Sequence, residues 1–278
     1  MNNNTSLKDK TCLITGASSG LGFAVSKQLA LLGCHTILLC RNSEKGESTI
    51  QEIKRETSNV SVELMICDLS SMKSIQRFIE EFKSKYSKLD ILYNNAAVMK
   101  RNRTITEDGF EMMSQVNYLA SFKLMDSFLE LIKNSSSPFI INNGRPSYKL
   151  RLDMDDLQFS KNYSMYQSFF KTKLYLLFAS LELSRRTESD GITVTMIDPG
   201  PFKSDLVREV PLMGWIKNLF SSSVEKAAEN ILYHITSDEV KKKNGKVFKE
   251  KQEWPLTEYW KDKNISERLW SFTESLIN

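Results

Sequence analysis

Cysteine is scarce in this chain, four in 278 residues, and Cys12, Cys34, Cys40 and Cys67 show no metal-ligand spacing. Cys12, Cys40 and Cys67 fall in short apolar runs, where a free thiol behaves as a small hydrophobe. This usage points to a reduced, intracellular protein, and the cytoplasm is the expected compartment. Histidine is scarcer still, with only His35 and His234. No Ser-His-Asp set and no metal cluster is evident, which argues against a hydrolase of that kind and a metal centre. No stretch approaches the ~18 uninterrupted apolar residues of a membrane-crossing helix, so no transmembrane segment is expected. The polar start, Met1 to Ser6, lacks the apolar core of a signal peptide. Net charge is only +4, with lysines and acids interspersed, so no nucleic-acid partner is expected. Internal repeats, linkers and low-complexity segments are also missing. The chain therefore reads as a single domain over residues 1–278, large enough to bury about three quarters of its unfolded surface.

What the sequence does have is an ordinary globular balance, 41% hydrophobic and 26% charged, and one organising stretch, Thr15-Gly-Ala-Ser-Ser-Gly-Leu-Gly22. The apolar run Thr11 to Thr15 before it predicts a buried strand. The helical spacing after it places Leu21, Val25, Leu29 and Leu32 on one face. Strand, glycine turn and helix together aim backbone N–H groups and a helix N-terminus at a phosphate. Gly16 permits the tight turn. Gly20 and Gly22 allow close approach of ligand to backbone and of helix to strand. The G-x-x-x-G-x-G spacing differs from the commoner G-x-G-x-x-G, but its place between strand and helix supports a dinucleotide site.

Downstream, strands alternate with helices. Strands are expected at His35–Cys40, Val62–Cys67, Leu89–Tyr93, Pro138–Ile141 and Ile192–Ile197. Helices are expected at Glu44–Arg55, after an N-cap at Ser70, over about Glu107–Ile132, over about Tyr166–Arg186, and from Val224. The alternation implies an α/β fold with a doubly wound, mostly parallel sheet. Ligands in such sheets sit at the carboxyl ends of the strands.

Arg41 follows the second strand, where the ribose next to the phosphate turn would lie. An arginine there accommodates a 2′-phosphate, so the expected cofactor is NADP(H); a surface arginine at a strand end is the bland alternative. Asp68 suits either an adenine contact or a helix cap. Asn94-Asn95 suits either a ligand contact or an Asx turn.

Together these residues resemble the short-chain dehydrogenase/reductase family. Its motifs are matched by Gly16, Gly20 and Gly22, by Asp68-Leu69, by Asn94-Asn-Ala-Ala97 with the usual last glycine replaced, by Asn117 and by Pro199-Gly200. Cys40-Arg-Asn42, Asp156-Leu-Gln158, Gly245-Lys-Val-Phe248 and Glu267-Arg-Leu-Trp270 resemble the branch containing retinol dehydrogenases and protochlorophyllide reductases. Many members of that branch carry an N-terminal membrane anchor, whereas here the first strand comes at once. The resemblance spans residues 7 to 277 and implies a single Rossmann-type domain with a seven-stranded, mostly parallel sheet. It also implies a cofactor site drawn from Gly16, Ser18, Ser19, Gly20, Leu21, Gly22, Arg41, Asn42, Asp68, Leu69, Asn95, Ala96, Lys173, Pro199, Gly200, Phe202 and Ser204.

The family's chemistry uses a serine after the fifth strand and a tyrosine four residues before a lysine. The tyrosine moves the carbonyl proton, the lysine lowers its pKa and holds the nicotinamide ribose, and the serine orients the carbonyl oxygen. A hydroxyl of pKa ~10 needs such help near neutrality. Here Lys173 matches the lysine and Thr172 the small hydroxyl before it, but Phe169 stands at the tyrosine position. Gly144 takes the serine position. Of the family's four catalytic residues, Asn117 and Lys173 remain. Tyr166 shares a helical face with Phe169 and Lys173 and is the candidate substitute, or else a packed tyrosine. Arg145, Ser147 and Tyr148 lie in the loop after strand five and are further candidates for polarising a carbonyl, or ordinary loop residues. Neither histidine falls near this site.

Residues 201–223 form the expected lid over nicotinamide and substrate. Its apolar part, Pro211 to Phe220, suits a greasy pocket, a membrane or partner surface, or plain packing. The expected partner is a small apolar organic substrate. A homodimer through the helices near 107–132 and 166–186 fits the family's habit. Three activities are compatible with these residues: an NADP-dependent oxidoreductase of altered mechanism acting on a carbonyl, alcohol or activated C=C bond; a catalytically silent relative (a pseudoenzyme) serving as an NADP(H) sensor or scaffold; and a non-redox enzyme keeping the cofactor as structure.

Overall fold

A computed structural model describes residues 6–202 and 223–277. Strand β1 (Thr11–Thr15) leads through the glycine turn into α1 (Gly20–Leu31), then β2 (His35–Cys40), α2 (Ser43–Thr57), β3 (Val62–Ile66), α3 (Met72–Lys85) and β4 (Ile91–Asn94). A segmented helical region follows: α4 (Met112–Ser114), a π-helical turn (Gln115–Leu119), α5 (Ala120–Ser127) and α6 (Leu129–Lys133). The rest of the order is β5 (Phe139–Asn143), α7 (Met165–Arg186), β6 (Thr193–Asp198), α8 (Val224–Thr236), α9 (Asp238–Lys241), β7 (Lys246–Lys249), β8 (Gln252–Trp254), α10 (Glu258–Lys261) and α11 (Lys263–Ile277).

The strands form one sheet in the order β3-β2-β1-β4-β5-β6-β7-β8. Each neighbouring pair from β3 to β7 is parallel, whereas β8 runs antiparallel to β7. The expected seven strands thus become eight. The extra one returns through a turn at Glu250 and Lys251, with Glu250 at φ +54°. Tight hairpin turns usually place Asn or Gly at such positions, so this hairpin left no mark in the sequence.

Alternate strand residues feed two cores. Leu13, Leu39, Leu92, Ile140 and Val194 face one side with α3, α5 and α7. Cys12, Ile14, Leu38, Tyr93, Ile141 and Ile197 face the other with α1, α2 and α8. The four cysteines are free and buried, the thiol of Cys34 pushed up to about 12 by burial. Among the described residues no helix is long and apolar enough to cross a membrane, and no cluster of His, Cys, Asp or Glu is arranged to hold a metal ion.

Two helix expectations need correction. Ser71, not Ser70, caps α3, its side chain accepting from the Ser74 N–H. Ser70 is instead held in a turn by Asp68 Oδ1, which accepts from its N–H at 2.9 Å and its hydroxyl at 2.6 Å. The helix expected over 107–132 starts only at Met112 and breaks at Phe128. Before it, Asp108 is turned outward to accept from the Met72 N–H at 2.7 Å, and Gly109 adopts φ +82°. A π turn inserts one residue and keeps its neighbours buried, so apolar periodicity does not reveal it.

The C-terminal helix α11 lies against α7 and α5. The Tyr118 and Thr273 hydroxyls are 2.6 Å apart, the Trp270 and Phe122 rings are 4.5 Å centre to centre, and the Arg186 guanidinium lies 4.7 Å over the Trp270 ring. The helices expected to carry a homodimer contact are therefore covered, on these faces, by the same chain.

Candidate active site

The site is built where strand order reverses, between β1 and β4, at the carboxyl ends of the strands. Thr15 ends β1 and fixes the two loops that meet there. Its hydroxyl oxygen accepts from the Asn95 and Ala96 N–H groups, each at 2.9 Å. In return Asn95 Nδ2 donates to the carbonyls of Thr15 (2.9 Å) and Gly16 (3.3 Å). Asn95 is thus neither an Asx turn nor a loose loop residue, but a clamp on the glycine turn.

That clamp explains two of the three glycines. A Cβ on Gly16, which adopts φ +66°, would stand 3.0 Å from Ala96 Cα. A Cβ on Gly22 would stand 2.4 Å from the Gly16 carbonyl oxygen and 2.7 Å from Asn95 Nδ2. Gly20 differs: a Cβ there would meet open space, and the residue is required by its φ of +54°. The open space lies at the first turn of α1. Its N-cap, Ser19, makes no side-chain cap bond, so the first N–H groups of the helix remain available to an anion. Ser18 sits in the same turn, its carbonyl accepting from Thr49 Oγ1 at 3.4 Å. Leu21 is buried beneath it.

The other residues expected at the cofactor follow the carboxyl ends of β2, β3 and β6. Arg41 is exposed at the end of β2. Asn42 is the N-cap of α2, its Oδ1 accepting from Lys45 N–H at 2.7 Å. Asp68 is engaged with Ser70 as described, and Leu69 packs against the core. Pro199 and Gly200 follow β6 directly. Gly200, at φ +88°, donates its N–H to Asp198 Oδ1 (3.1 Å), and the Pro199 carbonyl accepts from Asn230 Nδ2 (3.1 Å). Phe202 packs against the second core. Ser204 and nearly all of the expected lid lie outside the described residues.

At the reaction end, the π turn carries Asn117 into the interior, a common use of π turns. Its amide spans two elements. Oδ1 accepts from Val98 N–H (2.7 Å), and Nδ2 donates to the Val98 carbonyl (2.9 Å) and to Thr172 Oγ1 (3.3 Å). The loop after β4 is thereby tied to α7. Lys173 is buried, 4% exposed, and its Nζ donates to the Asn143 carbonyl at 3.0 Å. Burial pushes this amine down to about 8. Phe169 packs with Met99 and Met113, its ring edge-on to Phe170 at 5.5 Å. Tyr166 packs against that cluster. A Cβ on Gly144 would meet Met196 Cε at 3.0 Å and Lys173 Cδ at 3.2 Å, both reachable by small shifts of flexible side chains.

The loop hydroxyls near strand five turn elsewhere. Tyr148 stacks on Trp260 at 4.6 Å and 11°. The Ser147 hydroxyl closes a local turn, its Oγ accepting from Lys149 N–H at 3.4 Å. His35 pairs with Glu63 at 2.7 Å, and His234 is buried against Phe248. Arg145, however, points to Asp198. Its Nε lies 3.4 Å from Asp198 Oδ2, the arginine 55% exposed and the carboxylate 5%. Burial raises the Asp198 pKa, and the nearby guanidinium partly opposes that rise. The sequence reading missed this partner, although an acid closing an otherwise apolar strand was its signal.

A sequence profile of short chain dehydrogenases matches residues 10–145. Human polyprenol dehydrogenase is 33% identical over 95% of this chain and 83% of its own. Human retinol dehydrogenase 13 is 34% identical over 96% of this chain and 84% of its own. Among solved structures, an uncharacterized protein from Mycobacterium paratuberculosis superposes with a TM-score of 0.78 at 25% identity, covering 98% of this chain and 94% of its own. The NADP complex of Pseudomonas aeruginosa RhlG does so with a TM-score of 0.72 at 20% identity, covering 90% of this chain and 97% of its own. Identity of this extent along nearly the whole chain, on this strand order, makes the protein a member of the short-chain dehydrogenase/reductase family, in its retinol dehydrogenase-like branch.

Proposed function

We propose that the protein binds NADP(H) and interconverts an apolar carbonyl compound and its alcohol, without the usual tyrosine and serine hydroxyls. The carrying observation is the glycine cradle: Gly16 and Gly22 pack where a Cβ would collide, while Gly20 faces open space at the uncapped start of α1. These residues fit a pyrophosphate, and exposed Arg41 fits a 2′-phosphate. When bound, the cofactor supplies or accepts the hydride. Relatives named for retinol and polyprenol support an apolar alcohol or its carbonyl partner as the substrate class.

The chain's own contributions follow from the geometry. Asn117 holds the loop after β4 to α7 and so fixes where Lys173 emerges. The buried Lys173 ammonium has one donor engaged by Asn143 and is placed to hold a ribose hydroxyl with another. Phe169, Met99 and Met113 exclude water from the far wall. Tyr166, at the start of α7, is the hydroxyl best placed along the helix to stand in for Phe169.

A second reading is favoured by Phe169 itself, which has no exchangeable proton: a silent relative that binds NADP(H) and transmits its presence. Incubating the full chain with NADPH and a panel of apolar aldehydes, retinaldehyde included, separates the two. Turnover that falls in Tyr166→Phe and Lys173→Met supports the oxidoreductase. NADPH binding without turnover supports the silent relative. No NADPH binding contradicts both.

A further inference from the structure

We propose that Arg145, aimed by the buried carboxylate of Asp198, is the hydrogen-bond donor to the substrate's carbonyl oxygen. This rests on the oxidoreductase reading above and names the group that replaces the serine in it. Arg145 follows directly on Gly144, whose N–H donates to the Ile197 carbonyl at 2.9 Å. Arg145 and Asp198 therefore stand side by side at the carboxyl ends of β5 and β6, where ligands of such sheets bind.

The pair is asymmetric. Asp198 is almost wholly buried, and its Oδ1 is taken by the Gly200 N–H. Among the described residues its Oδ2 has no hydrogen-bond partner, so the 3.4 Å approach of Arg145 Nε is an ion pair rather than a well-formed hydrogen bond. A buried carboxylate needs such a countercharge. Arg145 meets that need with its inner edge, and more than half of its side chain stays exposed. The two terminal nitrogens keep a planar fork of donors.

Charge balance selects what the fork binds. With Asp198 beside it, the guanidinium is neutralised, which disfavours a fully anionic ligand and suits a neutral carbonyl oxygen that gains charge only in the reaction. As a hydride adds to the carbonyl carbon, the C=O pair moves onto oxygen and the cofactor is oxidised. Arg145 holds the resulting oxyanion, and a proton given by the Tyr166 hydroxyl, itself reprotonated from water, completes the alcohol. Donors aimed at a developing oxyanion are the largest single contribution in many enzymes. Asp198 acts through Arg145 and is a positioning residue.

The test uses the full chain with NADP+ and retinaldehyde isotope-labelled at its carbonyl, a complex in which no hydride can pass. Difference infrared spectroscopy reads the C=O stretch of the bound aldehyde. The wild type is expected to lower it relative to the aldehyde in hydrocarbon. Arg145→Leu is expected to restore the hydrocarbon value, Arg145→Lys to keep part of the shift, and Asp198→Asn to lose part of it at unchanged NADP+ affinity. With NADPH, Arg145→Leu is expected to lower kcat by about 10²-fold. Circular dichroism checks that each variant folds. A merely structural role for Asp198 would move stability and leave the stretch alone, which overturns its assignment. NADP+ binding with an unshifted or absent bound carbonyl in the wild type, or a shift unchanged in Arg145→Leu, overturns the assignment of Arg145. Failure of the wild type to bind NADP+ overturns the oxidoreductase reading, and this proposal with it.

Discussion

Lys173 carries its ammonium 5.7 Å from the centre of the Phe169 ring, one helical turn away along α7. The ring attracts the cation, but it offers neither a proton nor a lone pair. Among the described residues the amine has a single backbone carbonyl to donate to, that of Asn143, beside this hydrophobic wall.

That setting makes stability depend on pH. Burial lowers Lys173 from an ordinary 10.5 to about 8. A base depressed in the folded state is penalised while charged. Its unfavourable contribution is therefore complete below pH 8 and is relieved as pH climbs from about 8 toward 10.5. Lys173→Met removes the penalty, on the order of 3 kcal/mol. Urea denaturation of wild type and variant across this range is expected to show the variant's relative advantage largest near neutrality and shrinking with alkali. A constant difference contradicts it.

Restoring the missing hydroxyls is expected to raise turnover. Phe169→Tyr places a phenol one helical turn from Lys173, and Gly144→Ser needs Met196 and Lys173 to give by only a few tenths of an ångström. A positioned acid contributes ~10²–10⁴ in rate. The double variant should therefore reduce an apolar aldehyde at least about 10²-fold faster than wild type, measured by NADPH consumption.

The glycines of the turn differ in what they tolerate. Gly22→Ala forces a Cβ onto a backbone oxygen and is expected to cost roughly 1–3 kcal/mol and to abolish NADPH binding. Gly20→Ala meets open space in the chain alone, where only its positive φ opposes it, a cost of about 1–2 kcal/mol, and its loss of NADPH affinity comes from a Cβ in the space offered to the phosphate. Thermal denaturation with and without NADPH distinguishes the two.

The α11 helix predicts the assembly state. Because Trp270 and Thr273 occupy the faces of Phe122 and Tyr118, the chain is expected to sediment as a monomer at micromolar concentration. Trp270→Ala, in the core, should cost about 3–5 kcal/mol. A wild-type dimer in equilibrium sedimentation contradicts this account of those helices.

Much of the molecule was legible because short-range rules dominate there. Thr11–Thr15 and His35–Cys40 are strands at the bounds their apolar runs suggest. That Gly144 and Phe169 stand at the family's serine and tyrosine positions is an expectation drawn from register with the family's motifs. What escaped depends on contacts between distant residues. Asn95 reads as a ligand contact or an Asx turn, and its clamp on Thr15 and Gly16 shows only in the structure. Asn42 reads as a cofactor contact, and only the structure shows its capping of α2 through Lys45 N–H. The π turn at Asn117 and the β8 hairpin carry no pattern of their own. Arg145 and Asp198, 53 positions apart in the chain, meet only because β5 and β6 are neighbours.

The most direct test of the central claim is calorimetric titration of the full chain with NADPH and with NADH, repeated on Arg41→Ala. The account predicts one NADPH per chain, bound at least about tenfold more tightly than NADH, as a charge-assisted contact to the 2′-phosphate implies. In Arg41→Ala the preference should vanish while NADH affinity holds. Equal binding of the two by wild type, or a preference that survives the loss of Arg41, would contradict it.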